Sequence, residues 1–282
     1  MQVFTKRHQL ESQVANWHKN NLKIGYVPTM GALHAGHASL VEQAIAQCDR
    51  VVVGIFVNPT QFNNQEDLEK YPRDIEGDVD FLKPFGESII VFNPSAREVY
   101  GNHVKSMHFD FAGLEDKMEG KFRPGHFDGV GTVLKHLFEI VRPDKAFFGE
   151  KDFQQLQIVK KLVEIENLDI DIVPCPISRA DDGLALSSRN KRLTEQERTE
   201  APFIFKTLAE AKKLYPANAP TAIKQWVEQE FEKSKILQLE YIEIADEDTL
   251  ETATSFEENH TYRAFIAVFA GDVRLIDNLR LN

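Results

Sequence analysis

The sequence predicts an α/β protein with a doubly wound parallel sheet, followed by a smaller C-terminal α+β domain. Three observations lead to this prediction. The chain has 282 residues, about twice the size of a usual domain. Short apolar runs alternate with helical patterns over roughly the first 175 residues, as strands and helices do in a parallel sheet. Beyond that region the predicted strands lie close together in sequence, as in an antiparallel sheet.

The predicted strands of the first domain are short and apolar. The run Val51–Val57 is continuous and rich in β-branched residues, as expected of a strand covered on both faces. Between residues 130 and 141 apolar side chains recur at i, i+3, i+4, i+7, i+8 and i+11, which predicts an amphipathic helix. In chain order the predicted strands are 24–27, 51–57, 88–92, 146–148 and 170–173, and the predicted helices are 40–48, 78–85, 130–141 and 156–165. This order is Rossmann-like.

The second part of the chain predicts two helices and a small group of strands. The helices are expected over residues 194–214 and 220–235, and the strands over 241–244, 263–270 and 273–276. The polar stretch Arg179–Gly183 ends in glycine and marks the join between the two parts. We therefore expect domains of residues 1–180 and 181–282.

Composition excludes several classes of protein. The net charge of 33 − 44 = −11 and the pI near 5.4 disfavour broad contact with nucleic-acid phosphates, although a local basic pocket can still hold a small anion. The two distant cysteines favour a reducing, cytoplasmic setting over a disulfide framework. No apolar run approaches the roughly 18 residues of a membrane span, and the first residues lack a secretory pattern. We expect a cytoplasmic protein that binds neither nucleic acid nor membranes.

Polar residues follow four of the predicted strands. The four exits are residues 28–37, 58–62, 149–152 and 174–190, and they carry His, Gln, Lys, Asp, Ser and Arg. Ligands of a doubly wound sheet bind beyond the carboxyl ends of its strands. Convergence of these loops therefore predicts one crevice lined by polar groups from separate segments.

The pair His34-Ala-Gly-His37 lies just before or within the first turn of a predicted helix. Helix N-termini favour anions through their N–H groups and dipole, and two imidazoles spaced by three residues can reach one phosphate chain. Two other interpretations stay open. The histidines are ordinary loop residues, or they bind a metal, although the spacing is not that of the usual helical zinc pair.

Two cationic segments also have a functional and an ordinary interpretation. Ser187-Ser188-Arg189 offers two hydroxyls and a guanidinium, which would suit a phosphate clamp or simply a solvated loop. Lys151 and Asp152 form either a surface ion pair or part of the site. Their position directly after a strand favours the site.

Two glutamines and a Pro/Gly segment complete the candidates. Gln61 and Gln155 have no titratable proton, so they would position a substrate if they act at all. Arg123-Pro-Gly-His126 is either a turn or a substrate flap. Gly129-Val-Gly131 is no dinucleotide fingerprint, because Leu134 stands where a third glycine is needed. No Walker-A loop or GxSxG elbow occurs.

With the strings around them, these motifs resemble the pantothenate synthetase (pantoate–β-alanine ligase) family. His34-Ala-Gly-His37 resembles the HIGH signature of the nucleotidylyltransferase superfamily, shared with class I aminoacyl-tRNA synthetases. Ser187-Ser188-Arg189 resembles the second, KMSKS-type clamp of that superfamily. The matching strings are Pro28-Thr-Met-Gly-Ala-Leu-His-Ala-Gly-His37, Phe56-Val-Asn-Pro-Thr-Gln-Phe62, Tyr71-Pro-Arg73, Arg123-Pro-Gly-His-Phe-Asp-Gly-Val130, Phe148-Gly-Glu-Lys-Asp-Phe-Gln-Gln155 and Asp182-Gly-Leu-Ala-Leu-Ser-Ser-Arg-Asn190.

The resemblance implies a cytoplasmic homodimer that uses ATP and Mg²⁺ to join pantoate to β-alanine. A pantoyl adenylate would form first, and AMP and pyrophosphate would be released. Residues 1–180 would bind nucleotide and pantoate, and residues 181–282 would form a lid. A closing lid or flap is expected, because an acyl adenylate must be shielded from water.

The resemblance also assigns the site residues. His37 would be the catalytic proton donor, and His34, Lys151 and Arg189 would join it in cancelling phosphate charge. The residues implied to contact ATP are Met30, Gly31, Ala32, Leu33, His34, Ala35, Gly36, His37, Gly149, Glu150, Lys151, Asp152, Ser178, Leu186, Ser187, Ser188 and Arg189. Gln61 would contact pantoate and β-alanine, and Gln155 would contact pantoate. Ser178 departs from the family, which usually has an apolar residue there, and the metal ligands stay unassigned.

Two other functions fit parts of the pattern. A nucleotidyl transferase that joins a phosphate to AMP or CMP would share both phosphate motifs, but it would not need the two glutamines. A nucleotide- or RNA-binding module would have no use for a histidine pair facing a Lys/Arg clamp, and the negative net charge disfavours RNA.

Overall fold

The chain divides into two compact units. The structure is a computed structural model that describes residues 1–62, 68–69 and 71–282. The first unit comprises residues 1–150 and 154–176, and the second comprises residues 151–153 and 177–282. The division falls at 176/177, a few residues before the expected join, and the short segment 151–153 belongs to the second unit.

A six-stranded parallel sheet forms the centre of the first unit. Its strands are β1 (Gln2–Phe4), β2 (Ile24–Thr29), β3 (Arg50–Ile55), β4 (Ile89–Phe92), β5 (Lys145–Gly149) and β6 (Asp171–Cys175). They lie in the order β1-β4-β3-β2-β5-β6, and every neighbouring pair runs parallel, which confirms the predicted doubly wound sheet. The strand order reverses between β2 and β5, so the exits of these two strands meet at the switch point where such sheets bind ligands.

Helices cover the sheet of the first unit. They are α1 (Arg7–Lys19), α2 (Ala35–Gln47), α3 (Ile75–Leu82), α4 (Ala96–Tyr100), α5 (Met118–Phe122), α6 (His126–Val141) and α7 (Phe153–Ile165). Val41 and Leu82 of two helices pack with Val27, Val53 and Val91 of three strands in one buried cluster. In the described part of the chain, no helix combines the length and apolarity that crossing a membrane requires.

Two glycines let α6 pack closely on its neighbours. A Cβ on Gly129 would collide with the main chain of Thr60 and Gln61, and one on Gly131 would crowd the ring of Phe111. The glycine pair that resembles part of a nucleotide fingerprint therefore has a packing role. It brings the first turns of α6 against the turn that follows β3.

The second unit is α+β, as predicted. Its antiparallel sheet consists of β7 (Leu237–Asp246), β8 (Tyr262–Ala270) and β9 (Val273–Arg280), in that order. Its helices are α8 (Glu195–Glu200), α9 (Phe203–Leu214) and α10 (Pro220–Phe231). Leu208 of α9 and Val227 of α10 are fully buried with Ile266 of β8, so the helices and the sheet share one core.

The helix predicted over residues 194–214 is wrong as a single element. It is broken into α8 and α9 between Glu200 and Phe203. Pro202 has no N–H to donate to the preceding turn, and its ring crowds the carbonyl four residues back. Pro202 instead stands at the start of α9, where its missing N–H costs nothing.

Replacing Tyr26 by phenylalanine should stabilise the protein. Tyr26 is fully buried, and its hydroxyl has no hydrogen-bond partner among the described residues. An unsatisfied buried hydroxyl is costly, so Tyr26→Phe should raise the free energy of unfolding by about 1 kcal/mol. Tyr100→Phe is the matched control and should lower it, because that hydroxyl bonds to Asn58 and Thr60. Urea unfolding measures both, and a loss of stability in Tyr26→Phe would contradict the prediction.

Candidate active site

The loop after β2 is held by a buried carboxylate. Asp78 of α3 is 5% exposed and accepts hydrogen bonds from the main-chain N–H groups of Ala32, at 3.0 Å, and Leu33, at 2.6 Å. Gly31 has a φ of +82°, and a Cβ there would lie 2.8 Å from the Asp78 carboxylate. The loop therefore depends on glycine for both its conformation and its close approach to the acid.

His34 and His37 form a capping box at the start of α2. Nδ1 of His34 accepts from the N–H of Gly36 at 3.1 Å, and Nδ1 of His37 accepts from the N–H of His34 at 3.3 Å. Because both Nδ1 atoms accept, the hydrogen of each neutral ring is on Nε2. The ring centroids are 4.1 Å apart. Two main-chain N–H groups at the start of the helix therefore bind the histidine rings.

The turn after β3 is organised by Asn58, which is 1% exposed. Its Oδ1 accepts from the N–H and hydroxyl of Thr60 and from the hydroxyl of Tyr100. Its Nδ2 donates to Oε1 of Gln61 at 3.0 Å, so the Gln61 amide turns its Nε2 toward Met30, 3.3 Å from the sulfur. The structure thus brings together one predicted ATP residue, Met30, and one predicted substrate residue, Gln61.

The segment Arg123–His126 is anchored on the same turn. His126 is buried, and its Nδ1 lies 2.9 Å from the carbonyl oxygen of Gln61, which can only accept. Nε2 of the neutral ring then accepts from Arg123 at 3.2 Å. Arg123 also approaches the Gln61 carbonyl, at 3.4 Å. The segment is therefore held against the turn that follows β3, and its role as a substrate flap stays a prediction.

Gln154, directly before the predicted substrate residue Gln155, has a structural role. Its amide is 4% exposed, accepts from the N–H of Glu119 at 2.9 Å and donates to the carbonyls of Leu114 and Lys117, each at 2.8 Å. These bonds join the start of α7 to the start of α5. Gln155, one position on, is half-buried on the same turn of α7.

In the second unit, a closed hairpin precedes the predicted clamp Ser187–Arg189. Arg179 donates to both carboxylate oxygens of Asp277, at 2.6 and 2.9 Å, and to the carbonyl of Gly183 at 3.1 Å. The N–H of Leu186 bonds to the carbonyl of Ser178 at 2.9 Å. A bidentate pair between arginine and a buried carboxylate is rigid, so it fixes the base from which the clamp extends.

The hydroxyl of Ser187 forms a hydrogen bond with the backbone of the clamp. Its Oγ accepts from the N–H of Arg189 at 3.3 Å and so caps the short 3₁₀ turn Ser188–Arg192. Ser188 is buried. A hydroxyl of the clamp itself therefore fixes the backbone conformation of this segment.

Lys151 and Asp152 form a long ion pair. Nζ of Lys151 lies 3.9 Å from a carboxylate oxygen of Asp152, and the two side chains are 19% and 51% exposed. Such a pair contributes little to stability. The main chain of Lys151 is held more firmly, because its carbonyl accepts from Nδ2 of Asn278 at 2.9 Å.

The predicted site residues are divided between the two units. The first unit carries Met30–His37, Gln61, Gly149, Glu150 and Gln155, and the second carries Lys151, Asp152, Ser178 and Leu186–Arg189. Within residues 1–62, 68–69 and 71–282, no group of three His, Cys, Asp or Glu side chains could hold a metal ion. Among these residues, His34 and His37 therefore have no third side chain of these types with which to bind a metal ion. The role of residues 181–282 as a lid stays a prediction.

Comparison with known proteins decides the family. The profile of the pantoate-beta-alanine ligase family matches residues 2–280. The chain belongs to the pantoate–β-alanine ligase family. A pantothenate synthetase from Christiangramia forsetii is 53% identical over 282 residues, covering 100% of both chains. The similarity to the family therefore covers almost the whole chain and not only the strings between Pro28 and Asn190.

Solved structures of this ligase family share the fold. The crystal structure of pantothenate synthetase from Thermus thermophilus matches with a TM-score of 0.90 at 33% identity, covering 100% of this chain and 99% of that one. The pantoate-beta-alanine ligase from Francisella tularensis, complexed with beta-gamma ATP and β-alanine, matches with a TM-score of 0.82 at 34% identity. That match covers 100% of this chain and 98% of the other.

Several residues that shape the site of this family member carry weak sequence signals. Asn58 precedes a proline, which is typical of a turn and could have drawn attention to it. Asp78 stands in the predicted helix 78–85 and Gln154 just before the predicted helix 156–165, and neither has such a signal. Asn278 lies just beyond the predicted strand 273–276 and far in sequence from the segment it holds.

Asp78→Asn should destabilise this family member. The amide has one acceptor oxygen where the carboxylate offers two to the N–H groups of Ala32 and Leu33. We expect the free energy of unfolding to fall by about 1–3 kcal/mol, the usual cost of unsatisfied buried groups. Asp80→Asn, on the exposed side of the same helix, should change it by less than about 0.5 kcal/mol. Equal losses in urea unfolding would contradict the role of Asp78.

Proposed function

We propose that the chain condenses pantoate with β-alanine at the expense of ATP, forming pantothenate, AMP and pyrophosphate. The observation that carries this proposal is the match to the pantoate-beta-alanine ligase profile over residues 2–280. The complex of the Francisella tularensis relative with beta-gamma ATP and β-alanine supports two of the three substrates. The geometry of both units is compatible with the roles assigned below.

The first step is attack of the pantoate carboxylate on the α-phosphorus of ATP. A carboxylate is ionised at neutral pH, so this step needs no base. It needs cancellation of the charge that develops on the phosphates. The capping box supports a donor role for His34 and His37, because it leaves the hydrogen of each neutral ring on Nε2. Lys151 and Arg189 add permanent positive charge.

The second step is attack of the β-alanine amine on the acyl adenylate, which releases AMP. The amine must lose a proton, and the amide bond replaces the bond to phosphate. Gln61 would hold pantoate and β-alanine, and Gln155 would hold pantoate. The bond from Asn58 to Oε1 of Gln61 supports this role, because it fixes which side of the amide donates.

Mg²⁺ enters this proposal as part of Mg-ATP. Among the described residues there is no three-ligand cage of His, Cys, Asp or Glu, and a magnesium ion held mainly by phosphate oxygens and water needs none. The residues of the two units are therefore compatible with a phosphate-bound ion. When bound, it would neutralise part of the phosphate charge.

We propose that the enzyme works in the cytoplasm as a homodimer. Cys48 and Cys175 are both free thiols, which is typical of a reducing compartment. The dimer rests on family resemblance. Gel filtration with light scattering would test it directly.

The products formed from ATP should decide the reaction. With ATP and pantoate alone we expect pyrophosphate and an acyl adenylate, and with β-alanine added we expect AMP and pantothenate in equal amounts. Chromatography of the nucleotides and mass spectrometry of the amide measure these products. Formation of ADP would contradict the proposal, because attack would then be at the γ-phosphorus. Transfer of a nucleotide without an amide would favour the nucleotidyl transferase.

Loss of one phosphate donor should slow adenylation. Lys151→Met removes a charge at nearly constant size, and His37→Asn keeps an acceptor for the His34 N–H but removes the ring. Each should lower kcat by about 10²–10³, and the KM for ATP should rise less, because these donors act mainly on charge that moves in the transition state. Lys160→Met, an exposed change on α7, should leave kcat unchanged.

Single-turnover kinetics separate the two steps of this prediction. Slow formation of the acyl adenylate with a normal rate of amide formation supports the roles of His37 and Lys151. A variant that forms the adenylate at the wild-type rate would show that its residue is not a phosphate donor.

A further inference from the structure

Residues 151–153 are bound to the antiparallel sheet of the second unit. The carbonyl of Lys151 accepts from Nδ2 of Asn278, on β9, at 2.9 Å. The ring of Phe153 lies beneath the guanidinium of Arg263, on β8, and the guanidinium carbon is 4.1 Å from the ring centroid. The same ring packs against the ring of Phe265, also on β8, with 5.9 Å between the two centroids. Side chains from two strands thus hold the main chain on which Lys151 stands.

The orientation of the Asn278 amide is fixed by a charge. Nη1 of Arg263 donates to Oδ1 of Asn278 at 2.5 Å, and Asn278 is 2% exposed. Since the amide oxygen faces the guanidinium, the amide nitrogen must face the Lys151 carbonyl, to which it donates. Arg263 therefore donates a hydrogen bond to Asn278, and Asn278 in turn donates one to Lys151.

Arg263 is itself held by a buried carboxylate. Its Nε donates to Oε1 of Glu247 at 2.7 Å, and both residues are at most 5% exposed. Arg280 donates to the same carboxylate. Burial opposes ionisation of Glu247, but the hydrogen bond and charge of Arg280, with those of Arg263, hold its pKa below the usual value. The carboxylate stays ionised at neutral pH, so the guanidinium does not need another partner to remain buried.

We propose that Asn278 and Arg263 are positioning residues for Lys151. Neither is among the residues that family resemblance assigns to ATP, pantoate or β-alanine. Their effect is to set the main chain at residue 151, from which the ammonium group extends. The inference rests on the proposed function, in which Lys151 approaches the ATP phosphates.

A substitution at Asn278 can remove the contact to Lys151 and keep the contact to Arg263. Asn278→Asp preserves the size and the acceptor for the guanidinium, but it places a second oxygen against the Lys151 carbonyl. Misplacement of a charged group by about 1 Å can cost up to about 10²-fold in rate, so we expect adenylation to slow by about 10- to 100-fold. The KM for ATP should change less than kcat.

A double-mutant cycle with Lys151→Met distinguishes positioning from general damage. If Asn278 acts through Lys151, Asn278→Asp should slow adenylation less than about twofold when Lys151 is already methionine. Single-turnover adenylate formation with excess enzyme measures all four proteins, and thermal unfolding confirms that each is folded. An equal fold-loss in both backgrounds, or a wild-type rate in Asn278→Asp, would overturn the proposal.

Asn282→Asp is the matched control. Oδ1 of Asn282 accepts from the N–H of Tyr262 at 2.9 Å, and its Nδ2 donates to the carbonyl of His260 at 2.7 Å, so the same exchange removes the same kind of bond elsewhere in this unit. Its adenylation rate should equal that of the wild type. A loss like that of Asn278→Asp would contradict a specific role at residue 278.

Two further comparisons keep the outcomes distinct. Should Asn278→Asp fail to fold, Asn278→Ser adds no charge to the buried site and is too short to bridge Arg263 and Lys151, so the cycle is run with it. If Lys151→Met alone forms adenylate at the wild-type rate, the proposed role of Lys151 fails and this inference fails with it. If Lys151→Met forms adenylate slowly but the Asn278 variant has the same fold-effect in the Lys151→Met background as in the wild type, the positioning role of Asn278 is overturned and the role of Lys151 stands.

Discussion

The two hydrogen bonds from Ala32 and Leu33 to the buried carboxylate of Asp78 are the constraint on which the site of the first unit depends. They hold a loop whose backbone is left-handed at residues 31 and 32, a conformation that needs compensation from its surroundings. The loop then delivers His34 to the start of α2, where the capping box sets the tautomers of both histidines. The start of α2, the loop before it and the buried carboxylate of Asp78 therefore depend on one another.

The second unit anchors its site segments in a similar way, through two adjacent residues of β9. Asp277 binds Arg179 and so closes the hairpin before Leu186–Arg189, while Asn278 binds the carbonyl of Lys151. Both segments that the resemblance assigns to ATP in this unit are thus tied to neighbouring positions of one strand. Buried, fully paired polar groups of this kind specify one arrangement, because any other would leave a charge unpaired.

Periodicity predicts the elements of this chain where apolar residues are dense. The continuous run that forms β3 and the stripe that forms α6 are both found from the sequence. β1 and α1 lie outside the prediction, since only Phe4 is buried in β1 and α1 buries three side chains within a polar segment. The break at Pro202 is also missed, because the apolar pattern continues on both sides of it.

By itself the sequence determined the order of the strands from β2 to β9, the edge of the first sheet that carries the polar exits, and the motif residues, because all of these are local patterns. Only the tertiary structure decided what holds those residues. Asp78 lies 46 positions from Ala32, and Asn278 lies 127 positions from Lys151. Such partners meet through the packing of distant elements, and a hydrogen bond between a side chain and a distant main-chain atom leaves no period or spacing in the sequence.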